Sequence, residues 1–142
     1  MVFMIPAVYQ GGKNKRVDEN FTPPADAVKE MMKFNEALAK EGHIISLDGL
    51  HPIEKGARLS FAKGTPAVTD GPFIESKEVF GGYWMTTFAS KEEAIEWFKR
   101  CPAAEGDTIE IRQVFEVSDW PEETVQAADN ATVKAAIEKK ET

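Results

Sequence analysis

Apolar residues from Val2 to Tyr9 (VFMIPAVY) fall on both parities, which predicts a strand covered on two faces, with Pro6 favouring an edge or a bulge. A polar loop follows from Gly11 to Phe21. Thr22-Pro23-Pro24 then offers a hydroxyl cap and prolines whose fixed φ suits a first helical turn. Ala27, Met31, Phe34 and Leu38, flanked by Val28, Met32, Asn35 and Ala39, make a wide apolar stripe at helical spacing. The pattern predicts a helix over 24–41, closed by Gly42 as a left-handed cap residue. His43 to Leu47 reads as a short strand broken by Asp48-Gly49. Leu59 and Phe61 alternate with period two, and Lys63-Gly64 turns that strand into Pro66 to Thr69.

Val79 to Phe88 reads as an aromatic strand, Tyr83 and Met85 on one face, Trp84 and Phe88 on the other. Ser90 and Glu93 form a capping box for a helix whose stripe is Ala94, Trp97, Phe98 and Cys101, stopped by Pro102. Thr108 to Phe115 is the last strand, with Ile109, Ile111 and Phe115 on one face and Glu110, Arg112 and Val114 on the other. Beyond it, Asp119 and Asn130 are placed to cap two short helices. The expected domain covers 1–117, and 118–142 is a helical tail.

Strand, helix, strand, hairpin, strand, helix, strand is the order of a ferredoxin-like α+β fold (βαββαβ) with an inserted hairpin. One sheet face would meet the helices. Trp84 and Phe88, or their opposite-parity neighbours, with Phe3 or Met4 and Val114, would then leave too much apolar area on the other, which argues for a homodimer with two sheets face to face.

Composition narrows the function classes. The net charge of −7 and the lack of a Lys/Arg cluster argue against nucleic acid as a partner. The one cysteine, Cys101, excludes an intramolecular disulfide framework and suits a reducing compartment. Near the helix C-terminus it reads as a structural thiol. No apolar run approaches the ~18 residues of a membrane span and no signal-peptide layout is present, so the expected location is cytoplasmic, with no membrane partner. Two histidines and one cysteine lie far apart without metal-ligand spacing, and neither glycine pair has a phosphate-loop context, so no metal or other cofactor is expected.

Two sets of residues carry candidate chemistry. His51 precedes Pro52, which keeps it in extended or turn backbone. Asp70 opens the turn Asp70-Gly71-Pro72-Phe73. If the two meet, the carboxylate fixes the imidazole tautomer and leaves the other nitrogen as acid or base. Asp70 would equally complete a turn on its own backbone, and His51 would equally be a loop residue. In the second set, Tyr83, Glu110 and Arg112 share a sheet face, where Arg112 would bind an anionic group through its planar fork. A Glu110–Arg112 ion pair is the competing reading, and Arg58 shares the ambiguity. His43, on an apolar strand, reads as a partly buried core histidine.

The run Val68-Thr-Asp-Gly-Pro-Phe-Ile-Glu-Ser-Lys-Glu-Val-Phe-Gly-Gly-Tyr, the earlier Gly49-Leu-His-Pro and Gly56-Ala-Arg, and the later Ala94-Ile-Glu-Trp, Arg100-Cys-Pro-Ala-Ala and Ile109-Glu-Ile-Arg occur in a specific order. Over roughly residues 1–116 this set resembles the DGPF-domain branch of the YCII-related family. That resemblance implies a ferredoxin-like fold assembled as a dimeric α+β barrel, with a small-molecule cleft in each protomer. It also implies a histidine–aspartate pair, which falls on His51 and Asp70. The resulting expectation is metal-free acid–base chemistry on a small organic molecule. His51 and Asp70 would be catalytic, and Arg58, Tyr83 and Arg112 would bind substrate. The alternative is a non-enzymatic dimer that binds a ligand or a regulatory, transcription-linked partner.

Overall fold

The computed structural model describes residues 1–6, 20–62, 64–71 and 79–141. In order they form β1 (Val2–Ile5), α1 (Ala25–Lys40), β2 (Ile44–Gly49), β3 (Ala57–Ala62), β4 (Thr65–Asp70), β5 (Gly82–Thr86), α2 (Lys91–Phe98), β6 (Thr108–Ile111), α3 (Glu122–Ala128) and α4 (Ala131–Glu141). Short 3₁₀ turns lie at Ile53–Lys55 and Val117–Asp119.

Four strands make one antiparallel sheet in the order β2-β5-β1-β6, and β3 and β4 pair separately as a two-stranded ribbon. Register puts Leu47, Trp84, Val2 and Ile111 in one row across the larger sheet. This is the face that the helices cover. Val2, Met4 and Trp84 are buried there with Phe34 and Leu38 of α1 and Phe98 of α2. Phe98 meets both Phe34 and Trp84 edge-on, with centroids 5.5 and 5.2 Å apart. The one polar side chain buried among the described residues is Asn35, whose Oδ1 accepts from the Trp84 indole N–H at 2.8 Å. The apolar stripe of α1 therefore has a polar member because the aromatic residue opposite brings an N–H that needs an acceptor.

The α+β class holds, but the dimeric α+β barrel does not. The four-stranded sheet is open, ending at edge strands β2 and β6, and the hairpin is a separate sheet. The homodimer expected from the sequence rested on apolar residues that would be exposed opposite the helices, and most of these find cover within the chain. Trp84 lies on the helix face and is buried. Phe88 stacks on His43 at 4.3 Å, and Phe3 stacks on Phe80 at 4.6 Å. Val114 lies beyond the end of β6 and remains exposed.

Several element ends differ from the sequence pattern. β1 stops at Ile5, before Pro6, and the rest of the expected strand, the polar loop to Glu19, Lys63 and Pro72 to Glu78 lie outside the described residues. α1 starts after Pro24 with no side-chain cap, so Thr22 does not have the capping role assigned to it. Gly42 closes the helix at φ +76°, as expected. β2 runs through Asp48-Gly49 because Gly49 still pairs with Gly82. β5 is shorter than the aromatic run since Phe80 folds onto Phe3 and Phe88 onto His43. β6 ends at Ile111, its pairing with β1 finishing at the Arg112 N–H to Met1 carbonyl bond, so Phe115 is exposed and meets Trp120 instead. At α2 the Ser90 hydroxyl accepts from Glu93 N–H as expected, while the Glu93 carboxylate accepts from Ala89 N–H, one residue before the cap. Asn130 Oδ1 accepts from Val133 N–H and caps α4. The Asp119 carboxylate accepts from Glu116 N–H and serves the preceding 3₁₀ turn rather than α3.

Cys101 packs with its sulfur 3.9 Å from Met31 Sδ. Burial, aided by the charge of Asp107, pushes the thiol up to about 11. A thiol of that acidity is about one part in a thousand thiolate at pH 8. Ellman's reagent at pH 8 is therefore expected to label the folded protein at least ~10-fold more slowly than the urea-unfolded chain. The unfolded thiol ionises first, so its contribution to stability falls as pH rises above the ordinary value of 9.0 and through about 11.

Candidate functional site

On the face of the sheet away from the helices, register aligns Asp48, Tyr83, Phe3 and Glu110 in one row. The Tyr83 hydroxyl donates to Asp48 Oδ2 at 2.7 Å. That hydrogen bond, and then the charge of Asp48, hold the phenol above its usual value of 10. Gly82 lets the strands come this close: a Cβ there would sit 2.9 Å from the Asp48 carbonyl oxygen. At the far end of the row Glu110 Oε1 lies 3.8 Å from Arg112 Nε, the ion pair weighed as the competing reading of these residues.

Beyond β2 the chain runs straight to His51. Leu50 N–H donates to Gly81 carbonyl, and Gly81 N–H donates to Met4 carbonyl, so this corner is fastened to the sheet end. The turn Ile53–Lys55 then meets the end of the β3–β4 ribbon. Gly71 N–H donates to the Gly56 carbonyl at 3.0 Å, and a Cβ on Gly71 would sit only 1.8 Å from the Ile53 carbonyl oxygen. Only a residue without a side chain fits that approach. Asp70 thus ends its strand one residue from a contact with Ile53, which is itself two residues after His51. Two residues of chain span at most about 7 Å. His51 and Asp70 are both exposed, and no hydrogen bond or ion pair joins them among the described residues. In the same turn Glu54 Oε2 is closed off from solvent without a hydrogen-bond partner, and the Glu54 Cα would lie 3.1 Å from that same Cβ.

His43 forms a separate polar cluster. Its Nδ1 lies 2.9 Å from the Thr87 carbonyl oxygen, which only accepts, so Nδ1 carries the hydrogen. Nε2 faces Glu93 Oε1 at 4.0 Å, beyond a direct hydrogen bond. The ring stacks on Phe88 and meets Trp97 edge-on at 5.1 Å, leaving 15% of the side chain exposed. It is partly buried, as its apolar strand suggested. The cluster is compatible with acid–base chemistry through Nε2.

Of the residues nominated from sequence, Asp70 ends one residue before the Gly71 approach to Ile53, His51 stands two residues before Ile53, and Tyr83 pairs with Asp48, three residues before His51. Arg58 stands on β3 opposite Thr69, and Arg112 lies past β6 with its side chain largely exposed. Asp48 is not among the candidates the sequence offers, because Asp48-Gly49 reads there as a strand break. Its pairing with Tyr83 follows only from the antiparallel register of two strands far apart in sequence. A groove of about 320 Å³ lies elsewhere, between α1 and the end of α2, with Phe34 and Trp97 as walls and Lys33 and Arg100 at its rim. The Arg100 guanidinium sits 3.7 Å over the Trp97 ring. No cluster of three metal-ligating side chains occurs among the described residues, and no described helix is long and apolar enough to cross a membrane.

The model of the YCII-related domain matches residues 1–118, and the chain belongs to that family. No curated protein matches it.

Proposed function

We propose that this YCII-related domain carries out acid–base chemistry on a small organic molecule held at the corner where β2, the Ile53–Lys55 turn and the end of β4 meet. His51 is the acid or base, and Asp70 orients its ring. The observation that supports this reading is the Gly71 approach to the Ile53 carbonyl, which holds the Asp70 strand end against the segment leaving His51. A carboxylate within reach of an exposed imidazole selects one tautomer and leaves the other nitrogen for the substrate. No step of this scheme calls on a metal. Arg58 and Arg112 are proposed as the cations that meet an anionic part of the molecule.

Imidazole ¹⁵N shifts test the pairing. In the wild type His51 is expected to hold one tautomer, as His43 does against the Thr87 carbonyl in the same spectrum. In Asp70→Asn the His51 tautomers are expected to average. The same tautomer mixture in both proteins would sink the pairing. On a substrate found by screening small aromatic and lactone-like acids, His51→Ala is expected to lower kcat by about 10²–10⁴ and Asp70→Asn by less.

A further inference from the structure

The pair formed by Tyr83 and Asp48 has a polarity that the proposed chemistry does not use. The phenol donates its only hydrogen to Asp48 Oδ2, so what Tyr83 offers a ligand is an oxygen lone pair. Asp48 keeps a second carboxylate oxygen, also an acceptor, and forms no ion pair with a cation among the described residues. Arg112 is at the other end of the row, beside Glu110. Next to Tyr83 in register is Phe3, stacked on Phe80 at 4.6 Å with planes 23° apart, which supplies a flat apolar wall. Acceptors beside an aromatic wall define a complementary ligand.

From this arrangement we infer that the Asp48–Tyr83 pair is a recognition site for a small organic molecule that presents an ammonium or hydroxyl donor beside a flat apolar body. A carboxylate at the same position would meet Asp48 charge to charge. Tyr83 has no hydrogen left to offer an anion, because its one O–H is given to Asp48 Oδ2. The face of the phenol also favours a cation. The inference rests on the reading that the substrate lies over this corner, since the chain reaches His51 three residues after Asp48. It sharpens the substrate class: any anionic part points towards the arginines and the donor points to β2.

Three matched probes separate the possibilities: phenethylammonium, 2-phenylethanol and phenylacetate, titrated into the full chain and followed by backbone amide shifts. The expected result is shifts at Asp48, Gly82 and Tyr83, strongest affinity for the ammonium, weaker for the alcohol, and none for phenylacetate at the same sites. Asp48→Asn keeps an acceptor of the same shape and removes the charge. It is expected to weaken phenethylammonium binding at least ~10-fold, and to let Tyr83 ionise at a lower pH than in the wild type, as read from its ring carbon shift. Ionisation of Tyr83 at a lower pH in a folded Asp48→Asn protein certifies that the pair itself was altered. Phenylacetate binding at these amides as tightly as the ammonium, shifts confined to the Trp97 groove, or unchanged affinity in Asp48→Asn would each overturn the inference. Donor-selective binding with His51 tautomers indifferent to Asp70 overturns the acid–base reading instead and leaves this site standing.

Discussion

Alanine at position 71 is expected to cost about 3 kcal/mol of stability and to lower Tm by roughly 10 °C. The reason is geometric. Its Cβ would lie 1.8 Å from the Ile53 carbonyl oxygen, 2.7 Å from the carbonyl carbon and 3.1 Å from the Glu54 Cα, all backbone atoms that cannot rotate away. The ribbon end must move by more than an atom's radius, breaking the Gly71 N–H bond to Gly56. Gly64→Ala is the matched control. Gly64 has φ +90° with nothing within 4 Å of a Cβ, so alanine there meets only backbone strain of about 1 kcal/mol. Thermal unfolding of the two variants and hydrogen exchange at the residue 71 amide measure the difference. Equal losses at the two positions would show that the close approach contributes nothing. If the corner is the site, the screened turnover falls with Gly71→Ala and survives Gly64→Ala.

What could be read from the chain alone was whatever depends on short range. The inner part of the α1 stripe (Phe34, Asn35 and Leu38, its outer members Val28 and Met32 being exposed), the Ser90–Glu93 cap, the positive-φ Gly42 and the pairing of the strand around Leu59 and Phe61 each depend on residues within a turn or two of one another. Strand ends were misread because they depend on partners. β6 contains no breaker after Ile111; it stops where its pairing with β1 does. Phe80 and Phe88 have strand-like composition but leave the ladder to stack on Phe3 and His43. The dimer was inferred from apolar surplus on one sheet face and the barrel from the family resemblance; of the residues behind the first, Trp84 turns to the helix face and Phe3 and Phe88 find ring partners that hydrophobic counting cannot anticipate.

The site divides in the same way. His51 and Asp70 were singled out because proline and glycine make their backbone settings legible in sequence. What brings the two segments close, the missing side chain at Gly71, is visible as a glycine but not as a contact with Ile53. Asp48 was hidden for a related reason. Aspartate before glycine usually ends a strand, and only the Gly49–Gly82 pairing keeps β2 going. A sequence signal did exist: Gly82 immediately before Tyr83 marks a place where another backbone comes close.

Asn35 and Trp84 should behave as one unit. Asn35→Leu is expected to cost about 2–3 kcal/mol, even though it puts a better helix former on an apolar stripe, because it leaves the buried Trp84 N–H without an acceptor. Trp84→Phe removes the donor and part of a ring packed against Phe98, for a loss of about 2–4 kcal/mol. It also strands the Asn35 carbonyl, since the remaining contact of that amide, Nδ2 to Met32 Sδ at 3.7 Å, is weak. In the double variant neither orphan exists. Its loss should fall short of the sum of the two by about 1–2 kcal/mol, a coupling measurable by urea denaturation with a constant m-value. Strict additivity would mean that water reaches the indole and that Asn35 is placed there by packing alone. A coupling of the expected size would mean that one hydrogen bond between α1 and β5 fixes how the helix sits on the sheet. It would act on the same strand that carries Tyr83 to the opposite face, tying the geometry of the core to that of the candidate site.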